Sequence, residues 1–101
     1  MRSREQTEAR YQKRGLCVEY VSDPPGKLYP AHEHHETRIY TLAGWAGIQL
    51  EGGTWRTVEA GEEVVIPKDV MHQAEVGQDG WEYVAAWDPQ QAVMYPDARH
   101  D

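Results

Sequence analysis

Three histidines and two glutamates occupy five consecutive positions of the chain, namely His32, Glu33, His34, His35 and Glu36. Residues two apart on an extended strand point to the same face, so the imidazoles of His32 and His34 can reach a single point. Neutral imidazole is the commonest metal ligand in proteins. The spacing therefore favours a metal ion held by His32 and His34, although a polar run of this kind is also typical of a solvated loop.

A second segment, residues 61–72, supplies one more histidine, His72, after a turn marked by Pro67. Four of the five histidines of the chain thus fall in two short segments. A distant third imidazole and a carboxylate would complete a mononuclear site for a transition metal. The agreement between the two segments favours a metal site over a solvated loop.

The two segments resemble the paired motifs of the cupin family, G-x5-H-x-H-x3or4-E-x6-G and G-x5-P-x-G-x2-H-x3-N. The first motif is matched at both of its glycines and both of its histidines: Gly26, His32, His34 and Gly44. The second motif is matched at Gly61, Pro67 and His72, whereas Asp69 replaces its second glycine and Val76 its final asparagine. The resemblance covers roughly residues 16–87, which is most of the chain, and the match of both motifs is fairly specific for the fold.

The glutamate of the first motif is missing at the family's own spacing. Counting forward from His34 or back from Gly44 reaches three positions without a carboxylate: Arg38, Ile39 and Thr37. Glu36 is the nearest carboxylate and shares strand alternation with the two histidines, so we expect it to be the fourth ligand. By the same alternation His35 points away, and we expect it to be exposed or at the rim of the pocket.

Short runs of β-branched and aromatic residues alternate with glycine and proline turns along most of the chain. They predict strands at residues 16–21, 38–42, 48–50, 55–58, 64–66, 70–76 and 81–87, with an interruption at 43–47 and a loop at 77–80. Such a pattern indicates an antiparallel sandwich or barrel. The resemblance implies its specific form, an all-β antiparallel double-stranded β-helix, the cupin jelly-roll barrel. In that fold the histidines at positions 32, 34 and 72 would converge inside the barrel near one mouth.

The walls of such a barrel would select the substrate. The residues expected in the substrate pocket are Arg38, Tyr40, Trp45, Gln49 and Tyr83. Strand alternation alone leaves open whether Tyr40 or its neighbour Ile39, and whether Gln49 or its neighbour Ile48, points inward. The last strand carries its aromatic residues on one face, where they fill a pocket, a core or a subunit interface: Trp81, Tyr83 and Trp87.

Length and composition limit the class of protein. The 101 residues suit one domain, which we divide into an N-terminal arm or loose helix (1–14), a cupin domain (15–88) and a C-terminal tail (89–101). A net charge of −7 argues against nucleic acid as a partner. No run approaches the roughly 20 apolar residues of a membrane span, and no secretory signal is evident, so we expect a cytoplasmic protein. Cys17 fits a core position better than a redox role.

These observations support two hypotheses about function. The first is a metal-dependent enzyme acting on a small molecule, with three histidines and one carboxylate around a divalent transition metal such as Fe, Mn, Zn, Ni or Cu. The second is a small-molecule-binding or sensory module whose metal is structural or absent. The family includes dioxygenases, isomerases, lyases, decarboxylases and binding proteins, so the resemblance does not select a reaction. It also implies a homodimer, in which pairing protects exposed sheet edges.

Overall fold

The structure is a computed structural model that describes residues 1–92. Its elements are α1 (Arg4–Lys13), β1 (Cys17–Asp23), β2 (Leu28–His32), β3 (Thr37–Leu50), β4 (Trp55–Glu59), β5 (Glu63–Ile66), β6 (His72–Trp87) and α2 (Pro89–Ala92). Most of the expected C-terminal tail, residues 93–101, lies outside the described residues. All pairings between the strands are antiparallel.

Two long strands, β3 and β6, pair with each other and run through two four-stranded sheets. In the first sheet, the N-terminal half of β3 and the C-terminal half of β6 are flanked by β5 and β1. In the second sheet, the remaining halves of β3 and β6 are flanked by β4 and β2. The prediction of an all-β antiparallel jelly roll is confirmed. Among residues 1–92, β1 does not pair with β2 and β4 does not pair with β5, so the barrel is not closed by hydrogen bonds.

The passage from one sheet to the other occurs inside β3 and β6. The register moves from Gly44 opposite Trp81 to Ala46 opposite Val76, so Trp45 alone faces residues 77–80 of β6. Glycine is needed here, because a Cβ on Gly77 would lie 2.1 Å from the Trp45 ring. The interruption expected at 43–47 and the loop expected at 77–80 are therefore both wrong. Glycine-rich stretches that resemble turns are bulges within continuous strands.

The core lies between the two sheets and is built from alternate residues of the long strands. Trp81, Tyr83, Ala85 and Trp87 all belong to it, which confirms that they share one face. Cys17 is partly buried and packs against the same cluster, in agreement with a core position.

A capped helix forms most of the segment expected to be an arm or loose helix. The Ser3 side chain accepts a hydrogen bond from the Gln6 backbone N–H, and the Gln6 side chain accepts one from the Ser3 N–H. On the helix face toward the first sheet, Tyr11 is 1% exposed and packs on Tyr40 and Val84. Tyr11 thus anchors the helix to the first sheet, although the polar composition of residues 1–14 does not suggest a buried contact. Neither helix of residues 1–92 has the length and apolar character needed to cross a membrane.

Candidate metal site

A cavity of about 240 Å3 lies between the two sheets. Its apolar wall comes from the inner faces of the strands and includes Ile39, Ile48, Ile66, Ala74, Trp81, Ala85 and Trp87. Its polar wall includes a cluster of imidazoles and, from β2 and β6, two phenol rings. At roughly 30 Å3 for each water molecule, the cavity has room for about eight waters or one small metabolite.

The structure brings His32, His34 and His72 together in the wall of this cavity. One ring nitrogen from each lies within 4.8 Å of the corresponding nitrogens of the other two. The ring centroids of His32 and His72 are 4.2 Å apart, and those of His34 and His72 are 4.6 Å apart. His34 is 9% exposed and His72 is 5% exposed, so these imidazoles are largely removed from water.

Two different devices position the three rings. His32 is the last residue of β2 and pairs directly with His72, the first residue of β6. His34 follows in the irregular segment between β2 and β3, and its carbonyl oxygen accepts a hydrogen bond of 3.1 Å from the Asp69 backbone N–H. Asp69 occupies a left-handed conformation with φ of 63°. The turn before β6 therefore fixes the His34 backbone as well as the position of His72.

Each of the three imidazoles has its Nδ1 against a backbone carbonyl oxygen. The distances are 2.7 Å from His32 to the Pro30 oxygen, 2.6 Å from His34 to the His35 oxygen and 3.0 Å from His72 to the Val70 oxygen. A carbonyl oxygen only accepts, so Nδ1 carries the proton in each ring. In a neutral imidazole with its proton on Nδ1, Nε2 is the nitrogen able to bind a metal. This arrangement orients metal-binding histidines in known sites.

The donor set fits a divalent transition metal. Two nitrogens that each lie about 2.1 Å from one ion are at most about 4.2 Å apart. The observed limit of 4.8 Å is only slightly larger, so small ring rotations bring all three nitrogens to one ion. Neutral imidazole suits Zn, Cu, Fe and Ni. The three-histidine group is therefore capable of binding a metal.

Glu36 does not join this group, so the expectation that it supplies the fourth ligand is corrected. Its side chain is 43% exposed, and its carboxylate oxygen lies 3.9 Å from the Arg38 guanidinium. Within residues 1–92, the group contains histidines alone. The alternation argument fails because β2 ends at His32 and β3 begins at Thr37, so Glu36 lies in a segment without strand geometry.

The same irregular segment turns His35 inward instead of toward solvent. His35 is 3% exposed and lines the cavity, with its ring centroid 5.2 Å from that of His34 and 6.1 Å from that of Trp87. Of the two positions expected for His35, exposed or at the rim of the pocket, the exposed one is wrong, whereas His35 does border the pocket. Beside it, Thr37 lines the cavity, and its hydroxyl donates a hydrogen bond of 3.2 Å to the His35 carbonyl oxygen. Counting back from Gly44 reaches this threonine, where the family has a glutamate.

Tyr83 is the one residue of the expected substrate pocket that lines the cavity; the other four are corrected. Tyr40 packs under α1, and Gln49 accepts a hydrogen bond from Gln73 outside the cavity. Strand alternation instead turns their neighbours inward: Ile39 and Ile48.

Arg38 and Trp45 also face away from the cavity. The Arg38 guanidinium lies 3.9 Å from carboxylate oxygens of Glu36 and Glu63, with the side chain 27% exposed. Trp45 borders a shallow depression on the outer surface, together with Trp55. The bulge in β3 around Trp45 breaks the simple alternation from which its inward orientation was expected.

A hydrogen-bonded chain in the cavity wall was missed by the sequence analysis. The Tyr29 hydroxyl donates a bond of 2.6 Å to Asp23, whose other carboxylate oxygen lies 3.2 Å from the Lys27 ammonium. The hydroxyl oxygens of Tyr29 and Tyr83 are 3.2 Å apart. Burial raises the pKa of both phenols, and the hydrogen bond to Asp23 raises that of Tyr29 further. Tyr29 is three residues from His32, a spacing that regular alternation places on opposite faces, but a register shift between them turns both inward.

Solved structures similar to this chain share its fold. KdgF from Halomonas sp. has a TM-score of 0.68 at 25% identity, over 78% of this chain and 73% of that protein. DMSP lyase DddQ from Ruegeria pomeroyi has a TM-score of 0.67 at 28% identity, over 72% of this chain but only 38% of the lyase. An RmlC-like cupin family protein from Methanocaldococcus jannaschii, with a double-stranded β-helix fold, has a TM-score of 0.69 at 17% identity, over 79% of this chain and 75% of that protein. No family model and no curated protein matches the sequence.

Proposed function

Because this chain folds as a small cupin domain, we propose that it is a metal-dependent enzyme acting on a small molecule. The proposed ligands of a divalent transition metal are the Nε2 atoms of His32, His34 and His72. One observation carries the proposal: three imidazoles converge within 4.8 Å, and each has its Nδ1 against a backbone carbonyl oxygen that fixes the orientation of the ring.

The chemistry follows from the donor set and the cavity. A divalent ion held by these three neutral imidazoles would supply Lewis acidity to an oxygen atom of the substrate. With no carboxylate in the group, the ligands do not offset the charge of the ion, which favours substrates that present an anionic oxygen. Trp87 and Ile66 line the cavity with the imidazoles and give the site an apolar wall. The proposal covers oxygenase, isomerase and lyase reactions, and the similarity to a lyase supports testing elimination first.

A second candidate is a small-molecule-binding or sensory module in which the metal is structural or absent. The observation that favours it is the exposed position of Glu36 and the consequent lack of a carboxylate in the histidine group. Metal-loaded protein that turns over no member of a panel of diols, keto acids and dioxygen-reactive compounds, yet shows ligand-dependent thermal shifts, would support this second candidate.

The test of the metal site is elemental analysis of protein purified without a histidine tag and reconstituted with Zn, Mn, Fe, Ni or Cu. We expect one ion per chain in the wild type and a large loss of affinity in His72→Ala. His35→Ala is the matched control, because it removes a neighbouring buried imidazole outside the group of three and should leave metal content unchanged. Equal metal content in wild type and His72→Ala would contradict the proposal.

We also propose that the protein forms a homodimer through the second sheet. Leu28 on β2 and Trp55 on β4, the edge strands of that sheet, are 65% and 51% exposed. Exposed apolar residues at sheet edges are typical of surfaces covered by a partner. Light scattering of the wild type should give twice the chain mass, and Trp55→Ser should lower it; a monomeric wild type would contradict the dimer.

A further inference from the structure

We infer that the cavity selects a small carboxylate that also carries a hydroxyl or other hydrogen-bond donor, and that the Tyr83 oxygen accepts the hydrogen bond from this donor. The inference deepens the proposed function and rests on it for the carboxylate end. Its own basis is the direction of the hydrogen-bonded chain from Tyr83 through Tyr29 to Asp23.

The direction of that chain is fixed at Asp23. A carboxylate accepts only, and each of its two oxygens has its own partner: Oδ1 the Lys27 ammonium at 3.2 Å and Oδ2 the Tyr29 hydroxyl at 2.6 Å. The Asp23 side chain is 3% exposed, so these bonds replace its contacts with water. Since Asp23 cannot donate, the proton of the second bond belongs to Tyr29.

The Tyr29 hydroxyl has a single proton and two possible acceptors, Asp23 and Tyr83. It donates to the acceptor that forms the stronger hydrogen bond. Hydrogen bonds to a charged acceptor are shorter and roughly twice as strong as those between neutral groups. The bond of 2.6 Å to Asp23 is of the charged kind, whereas the contact of 3.2 Å with Tyr83 joins two neutral hydroxyls. Tyr29 therefore donates to Asp23, and Tyr83 donates to the Tyr29 oxygen.

The Tyr83 oxygen is left as an acceptor. Tyr83 is 7% exposed and lines the cavity, and its only hydroxyl proton is donated to the Tyr29 oxygen. A ligand group that meets this oxygen must bring its own hydrogen, because two lone pairs facing each other in a buried site cost about as much as a lost hydrogen bond. Burial keeps both phenols protonated by raising the pKa of each, so the polarity does not change near neutral pH.

Matched pairs of acids that differ only between a hydroxyl and a carbonyl test this polarity. The pairs are lactate and pyruvate, 3-hydroxybutanoate and 3-oxobutanoate, and 4-hydroxypentanoate and 4-oxopentanoate, which place the group at increasing distances from the carboxylate. Binding is measured by calorimetry on zinc-loaded protein. We expect the hydroxy acid of at least one pair to bind about tenfold more tightly than its oxo partner.

Two conservative variants separate the hydrogen-bond polarity from simple shape. Tyr83→Phe removes the acceptor and should abolish the preference. Asp23→Asn should remove it by strengthening the binding of the oxo acids: the amide oxygen faces Lys27, its NH2 donates to Tyr29, Tyr29 then donates to Tyr83, and the Tyr83 proton becomes available to a carbonyl or a hydroxyl oxygen alike. Circular dichroism checks that both variants fold. If Asp23→Asn does not, it is replaced by Tyr29→Phe, which also makes the Tyr83 proton available to a carbonyl or a hydroxyl oxygen and predicts the same loss of preference.

The outcomes distinguish this inference from the proposed function. Equal binding within every pair, a preference that survives Tyr83→Phe, or no saturable binding by any of the hydroxy acids would overturn the inference. The same panel is run on metal-free protein, where the affinity should be weaker and the hydroxyl preference retained. Failure to load zinc would count against the proposed function alone. In that case the metal-free protein still tests the inference: a preference for the hydroxy acids would support the role of Tyr83, and equal binding of hydroxy and oxo acids would overturn it.

Discussion

Gly44 of β3 and Gly80 of β6 lie in backbone contact where the two long strands pass from one sheet to the other. A Cβ on Gly44 would be 2.0 Å from the Gly80 carbonyl oxygen, and Gly44 has a φ of 71°, which few residues other than glycine adopt. The passage between the sheets therefore depends on the absence of a side chain at this position.

Replacement of Gly44 should be far more damaging than replacement of a glycine with similar backbone geometry and open surroundings. Gly52 has a φ of 76°, and a Cβ added to it would meet no atom within 4 Å, so Gly52→Ala should cost about 1–2 kcal/mol for the backbone alone. Gly44→Ala adds a clash with backbone atoms, and we expect a loss above about 4 kcal/mol or failure to fold. Urea unfolding measures both, and equal losses would refute the role of the contact.

The hydroxyl of Tyr11 should make stability depend on alkaline pH. Tyr11 is buried and donates to Glu63, and burial followed by this hydrogen bond raises its pKa. At neutral pH, Tyr11→Phe should lower the free energy of unfolding by about 1–2 kcal/mol.

The sign of the pH effect follows from proton binding. Above pH of about 10 the unfolded chain loses the Tyr11 proton while the folded chain keeps it, so the wild type loses up to about 1.4 kcal/mol per pH unit from this group. Tyr11→Phe lacks this loss, and the other tyrosines titrate alike in both proteins. Urea unfolding between pH 8 and pH 11 should therefore show the gap between the two proteins narrowing; a gap that stays constant would contradict the prediction.

Trp87 should report on metal binding through its fluorescence. It lines the cavity with the three histidines, and its ring centroid lies 6.1 Å from that of His35, the neighbour of His34. Added Cu(II) should quench the emission of the wild type, and Trp87→Phe should remove a large part of that quenching. Trp55→Phe is the control, since Trp55 is 51% exposed and borders the outer depression. Equal quenching in the two variants would argue against an ion at the histidine group.

The sequence was sufficient to predict the antiparallel fold and to identify the three histidines that converge. The spacing of His32, His34 and His72 within the two motifs predicts that residues distant in the sequence lie close together in the fold, because both motifs face the same cavity. By contrast, His34 reaches the group from an irregular segment, so the strand alternation first used to pair it with His32 is not what positions it.

The errors share one physical cause, which is local departure from strand geometry. Alternation predicts a face only while the pleat is regular, and it fails for Glu36 and His35 between two strands and for Trp45 at a bulge. Within the regular part of β3, alternation does not say which of two neighbouring residues faces the cavity. The expectation of Tyr40 and Gln49 is wrong because the apolar neighbours Ile39 and Ile48 line the cavity. The hydrogen-bonded chain of Tyr29 escaped prediction because it joins residues from both sheets.

The continuity of β3 and β6 through both sheets limits how a molecule enters and leaves. Two covalent chains cross the junction, so the two sheets stay joined there. A small molecule can reach the cavity at the borders where no strands pair. At one of these borders Glu19 is exposed and Lys27 is 41% exposed beside the cavity. Rotation of the Glu19 and Lys27 side chains takes place in picoseconds to nanoseconds, far faster than domain closure. Release of a product would then be governed by how strongly the walls hold it, not by a slow opening of the scaffold.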